Sequence, residues 1–279
     1  MIVCLMLSTQ VINAKSLFSE YKTPLLSVEG RYATIKDSDE ISLGSSGIIM
    51  HSFDESTSTI IARVDVVEKK GGIAKLRFDV YKMSAQSAFP IPGVLPQVGD
   101  IATLNYLYNR ALIVAPNQSI YKEVTEHFKD IQWVHPDITA AYLAKNFIPT
   151  PDRETFQEIC KANSASLIFF ALDYNGYFVD CHSFQAIKQY KGAKISQFQL
   201  PFYTRVKDIE GSWFNWKNGS WFNWDSPMEN VSINFFTNFK WEEESYVIKR
   251  IYGPQEDAEQ KKDDALSTFT INYQKLIRY

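Results

Sequence analysis

Residues 167–180 read LIFFALDYNGYFVD. Two apolar runs rich in aromatic and β-branched residues flank Asn175-Gly176, a dipeptide that favours a two-residue type I′ turn. The stretch is therefore read as a hairpin, with Leu172 opposite Val179 and Phe170 opposite Cys181. Alternate residues of a strand point to one side, so Cys181 shares a face with Ile168, Phe170 and Leu172. A face this apolar needs a helix over it. Thr150-Pro151 opens one upstream, with the stripe Phe156, Ile159 and Cys160. Laying that helix on the hairpin brings Cys160 to Cys181, which predicts a disulfide worth about 3 kcal/mol in the chain-entropy model.

Working back toward the N-terminus, Asn117 or Ser119 can cap a helix whose stripe is Ile120, Tyr121, Val124 and Phe128. Pro136 sits where a second would begin, running through Ile138, Ala141 and Tyr142. From about Pro24 to Val114 the period is that of strands. STIIARVDVV (58–67) and IAKLRFDVYK (73–82) are joined by Gly71-Gly72 as a hairpin. LLSVEGRYATI, GIIMHSF and IATLNYLYNRALIVA read as further strands, while AFPIPGVLP (88–96), with Pro90, Pro92 and Pro96, reads as a loop. Short strands at this spacing predict a small barrel or sandwich.

The first residues, MIVCLMLSTQVINAKS, run apolar from Ile2 to Leu7 and reach Ala14 with Ile12 two positions before it, a secretory cleavage pattern. Removing residues 1–14 also removes Cys4. Cys160 and Cys181 then remain as an even pair in a compartment that permits disulfides. Beyond Arg205 the composition changes. GSWFNWKN (211–218) is followed at once by GSWFNWDS (219–226), and Asn218-Gly219 between the copies predicts a hairpin whose two Trp pairs face opposite ways. A helical patch (Gln255 to Leu266) and an alternating strand (Thr268 to Tyr273) are expected after it.

The fold class is thus α+β. A barrel- or sandwich-like β domain (15–114) precedes an α/β domain (115–209) and a Trp-rich C-terminal extension (210–279). The 279 residues, 45% hydrophobic and 22% charged, are those of a folded globular chain. A net charge of −3 lacks the basic footprint that nucleic acid demands. No apolar run approaches the ~18 residues of a membrane span.

The four histidines, His51, His127, His135 and His182, show no ligand spacing, so neither metal nor cofactor is expected. His182 follows Cys181 directly and points to the opposite face, as a surface histidine would, instead of pairing with it as a nucleophile's base. No Gly-x-Ser-x-Gly elbow or phosphate-cradling glycine loop occurs. The run Glu242, Glu243 and Glu244 reads as a solvated face, although a pair of carboxylates in a cleft is the form an enzyme would take here. The features that favour binding are aromatic and basic. Trp213, Phe214, Trp216, Trp221, Phe222 and Trp224 form a candidate interface, and Lys69, Lys70, Lys261 and Lys262 are candidate lysine contacts.

From about Ser27 to Val206 the chain resembles the N-terminal domain family of plasminogen-binding proteins of the PgbA type. The resembling stretches, in shared order, are GIIM (47–50), the hairpin through GGIAKLRF, LPQVGD (95–100), ALIVAPNQSIY (111–121), EIC and DCHSFQAI around the two cysteines, and PFYTRV (201–206). The resemblance implies an exported envelope or surface protein that catalyses nothing and has host plasminogen as partner. It also implies a Lys/Glu-rich tail ending in lysine, a ligand for lysine-binding kringle modules. This sequence instead runs through the Trp repeat to Arg278-Tyr279, which predicts weak or absent lysine-dependent binding of plasminogen. The architecture is also similar to periplasmic ring and disk proteins of flagellar motors. On that analogy the partners would be neighbouring envelope subunits in a homo- or hetero-oligomer.

Overall fold

A computed structural model describes residues 17–80, 93–148, 150–206 and 266–279. The leader, the Trp repeat, Lys261 and Lys262 lie outside the described residues. The first unit holds β1 (Tyr21–Pro24), β2 (Ser27–Glu29), β3 (Tyr32–Lys36), β4 (Ser46–Ser52), β5 (Ser58–Lys70), β6 (Ile73–Val80) and β7 (Ile101–Leu104). They form one antiparallel sheet in the order β1-β7-β4-β5-β6-β3-β2, curled into a half-barrel. Its edge strands are neighbours in sequence. Leu25 N–H donates to Asp100 O on one side and Leu26 N–H to Thr34 O on the other. Inward residues alternate with outward ones, and Ile35, Ile49, Val64, Leu76 and Leu104 fill the concave side.

The second unit holds β8 (Arg110–Val114), α1 (Gln118–His127), β9 (Gln132–Val134), α2 (Pro136–Asn146), α3 (Arg153–Ala162), β10 (Leu167–Leu172), β11 (Asn175–Asp180) and β12 (Ala186–Lys191). The sheet order is β12-β11-β10-β8-β9, with β9, β8 and β10 parallel. Asn117 caps α1 through Ile120 N–H, and Asp152 caps α3 through Thr155 N–H. Both faces of the sheet are covered. Phe128, closing α1, packs on Phe169 and Phe178, whereas Phe156 of α3 packs on Phe170, which points the other way. That explains why β10 is buried along its whole length.

Several expectations change. IATLNYLYNRALIVA is two strands, β7 and β8, in different sheets. The chain turns between them, with Asn105 and Leu107 at φ 58° and 59°. Arg110–Val114, expected with the first strands, is thus a strand of the second sheet. The hairpin exists, but Leu172 pairs with Asn175, Phe170 with Tyr177 and Ile168 with Val179. The turn is Asp173-Tyr174, with Tyr174 at φ 63°. Gly176 lies in the strand, where an added Cβ would come within 2.6 Å of the Phe169 ring.

Thr268–Tyr273, expected as a strand, lies in a helix, α4 (Thr268–Gln274), capped by Ser267 Oγ accepting from Thr270 N–H. Its β-branched residues mimic a strand, but Phe269, Tyr273 and Leu276 recur at helical spacing and are all buried. Residues 266–279 pack against the second unit. Tyr273 Oη donates to Pro201 O, Arg153 Nε to Leu276 O, and Arg278 bridges in parallel to Gln185.

Gly176→Ala should force the Phe169 ring off its seat and destabilise the chain by about 1–3 kcal/mol. Urea denaturation measures it; an unchanged midpoint would show that the ring has room to move.

Candidate functional site: an interdomain seam and a lysine face

The chain places Asp180 at the end of β11, where it meets the start of β4. Its carboxylate is fully buried. Oδ2 accepts from Ser46 Oγ at 2.5 Å and from Tyr108 Oη at 2.7 Å. Oδ1 accepts from the backbone N–H groups of His182 and Ser183 at 2.8 and 2.7 Å. Tyr108 Oη in turn accepts from Ser46 N–H at 3.0 Å. Burial, reinforced by the adjacent Asp180 charge, holds the Tyr108 phenol well above its ordinary value, so it stays a donor.

The loop after β11 completes the contact. Ser183 Oγ donates to Gly44 O at 2.7 Å. Gly44, at φ 80°, lies so close beneath Gln185 that an added Cβ would fall 2.1 Å from its Cγ. His182 Nε2 lies 3.8 Å from Asp65, whose carboxylate is gripped by Arg77 Nε and Nη2 at 3.2 and 3.0 Å. Burial lowers the His182 imidazole below its ordinary 6.5, with Arg63 adding to the effect, and the histidine is held neutral. Burial also raises Asp65, against the pull of Arg77. His182 is thus half-buried in the seam, not the surface histidine expected. Sequence offers no signal for this, because Ser46, Tyr108 and Asp180 lie more than sixty residues apart.

Cys160 and Cys181 form a disulfide closing 21 residues. The expected pairing is present although the hairpin register differs. The true and expected registers differ by an even number, which leaves Cys181 on the face of Ile168 and Phe170.

The candidate lysines separate. Lys69 Nζ is spent inside the half-barrel, donating to Ser38 O and Ile41 O at 3.0 and 2.7 Å and pairing with Asp37 at 3.1 Å. Lys70 points outward and is exposed. On the outer face of β3, β6 and β5, Lys36, Ile73 and Lys70 form one cross-strand row and Thr34, Lys75 and Glu68 the next. Lys75 Nζ sits 4.4 Å over the Tyr32 ring. Thr34, Glu68, Lys70, Ile73 and Lys75 line an open hollow there. Lys36 and Lys75 are residues that sequence reasoning passed over, because neither sits in a lysine pair; outward alternation along β3 and β6 would have found them.

The position where open α/β sheets bind ligands is filled by the chain itself. Beyond the carboxyl ends of β8 and β10, Gln199 N–H donates to Pro116 O and Tyr203 N–H to Ala115 O. Asp173 accepts from Ile195 N–H and Ser267 N–H, each at 2.7 Å. Among the described residues no cluster of His, Cys, Asp and Glu could hold a metal ion, and no helix is long and apolar enough to cross a membrane.

Fold and site together define a two-unit α+β domain, a half-barrel riveted to a mixed sheet, with a lysine-bearing outer face. Residues 20–226 match the family described as plasminogen-binding protein PgbA, N-terminal, and the chain belongs to that family. It is similar to the plasminogen-binding protein PgbA of Helicobacter pylori strain J99, at 20% identity over 173 residues, 61% of this chain and 38% of that protein. The same protein from strain 26695 is also 20% identical, over 61% of this chain and 37% of its own length. The chain therefore spans well under half the length of the curated relatives it matches.

Because His182 is neutral when folded and titrates more readily when unfolded, it contributes stability at high pH that is lost as pH falls below 6.5. Asp65, raised above 3.8, contributes with the opposite sign. His182→Gln should flatten the decline in urea midpoint below pH 6.5; identical slopes in both proteins would contradict a neutral His182.

Proposed function

We propose that this chain is the binding domain of an exported envelope protein, that it catalyses nothing, and that its partner is plasminogen. The observation that carries the reading is the outer face of β3, β6 and β5. There Lys36 and Lys70 stand exposed around Ile73, with Lys75 held upright over Tyr32. Three adjoining strands present these ammonium groups at fixed spacing, so little side-chain freedom is lost on contact. Membership of the PgbA N-terminal family supports the choice of partner.

Export is supported by the apolar leader pattern and by the Cys160–Cys181 bond, which belongs to oxidising compartments. A non-catalytic role is supported by the filled crevice above β8 and β10, which leaves the usual ligand position of an α/β sheet to the chain's own residues 195–204. Among the described residues no geometric feature speaks for the envelope-scaffold or the carboxylate-enzyme alternative; the Trp repeat on which the scaffold reading rests lies outside them.

The combined substitution Lys36→Ala, Lys70→Ala and Lys75→Ala should weaken binding to immobilised plasminogen by at least about tenfold, since each lost charged contact costs ~1 kcal/mol or more. Lys69→Ala should act on stability instead. Biolayer interferometry, with a free lysine analogue as competitor, distinguishes the two. Unchanged affinity in the triple variant would move the contact elsewhere, and no affinity in the parent protein would remove plasminogen as the partner.

A further inference from the structure

The disulfide lies in the second unit, yet what it fixes faces the first. Cys181 is the first residue of the loop that docks the units. The next four residues supply the His182 ring beside Asp65, the Ser183 Oγ bond to Gly44 O and the Gln185 side chain over Gly44. A second tether runs from α3 to the same loop, Gln157 Nε2 donating to His182 O at 2.7 Å. The loop is thus pinned to α3 on one side and presses on the half-barrel with the other. Both cysteines are only 1% exposed and sit in the core of the second unit, Cys181 immediately before the residues that meet the half-barrel.

We propose that formation of the Cys160–Cys181 bond is the step that docks the half-barrel onto the mixed sheet, and that the docked seam in turn protects the bond from reduction. The two thiols give up two protons and two electrons to a disulfide-bearing oxidant, a thiol–disulfide oxidoreductase or oxidised glutathione, which leaves as two thiols. Before that step the loop 181–185 samples many conformations, and the bonds at Gly44 and Asp180 carry its full ordering cost. After it, most of that cost is already met. The relation is reciprocal by linkage: whatever undocks the units must ease reduction by the same factor. It does not depend on which partner the lysine face takes, although Arg77 and Asp65 adjoin that face and would move with the seam.

The full chain, refolded with and without reductant, should be compared by hydrogen exchange. In the reduced protein the Ser46 amide, bonded to Tyr108 Oη, and the Asn105 amide, bonded to Ser46 O, should exchange at least about tenfold faster, while β8 and β10 keep their protection. Unchanged protection at Ser46 and Asn105 would overturn the proposal. So would a loss spread evenly over both sheets, since the bond would then merely stabilise the whole. As the second arm, Asp180→Asn with the bond intact should open the same amides and raise the fraction of bond reduced at equilibrium in a dithiothreitol redox buffer; a fraction equal to the parent's would break the reciprocity and the proposal with it.

Discussion

A single buried carboxylate joins the two units. Asp180 is inaccessible to water and accepts four hydrogen bonds, one from the half-barrel, one from the linker that joins the units and two from its own following loop. A buried charge with any of these partners missing would cost several kcal/mol, so the network tolerates one arrangement of the two units and penalises the rest. Rotating the half-barrel would strand Asp180 and lift Gly44 from under Gln185. The seam thereby fixes specificity more than it adds stability, and it gives the outer face of β3, β6 and β5 a defined position relative to the second unit.

Charge and burial divide the work across that boundary. Within the half-barrel Lys69 turns its ammonium inward onto carbonyls and Asp37, while Lys70, its neighbour, stays in water. Strand alternation alone makes one a structural cation and the other a surface group. At the far end of the second unit, Asp173 ties residues 195 and 267 to the mouth of the parallel strands, so the chain covers the crevice it would otherwise leave open.

Much of this was legible in the sequence where the signal is local. Caps such as Asn117, the start of α2 at Pro136 and the apolar face of the hairpin all follow from residues close together. Gly176 shows where local reading stops. Asn-Gly is a turn signal in isolation, yet here the missing Cβ serves the Phe169 ring and the turn moves to Asp173-Tyr174. Thr268–Tyr273 fails for a similar reason, since its β-branched composition competes with a helical stripe that only packing against Phe156 and Phe170 decides. Ser46, Tyr108 and Asp180 carry no pattern at all. Each is an ordinary residue until the fold brings the three together.

The central claim is that one carboxylate couples two units, and a double-mutant cycle on Ser46→Ala and Asp180→Asn, read by urea unfolding of the full chain, tests it most directly. Hydrogen bonds to charged groups contribute about 1.5–3 kcal/mol, so a coupling energy in that range is expected between residues 134 positions apart. Effects that add to within about 0.5 kcal/mol would mean the two side chains act independently, and the seam would not be the keystone described.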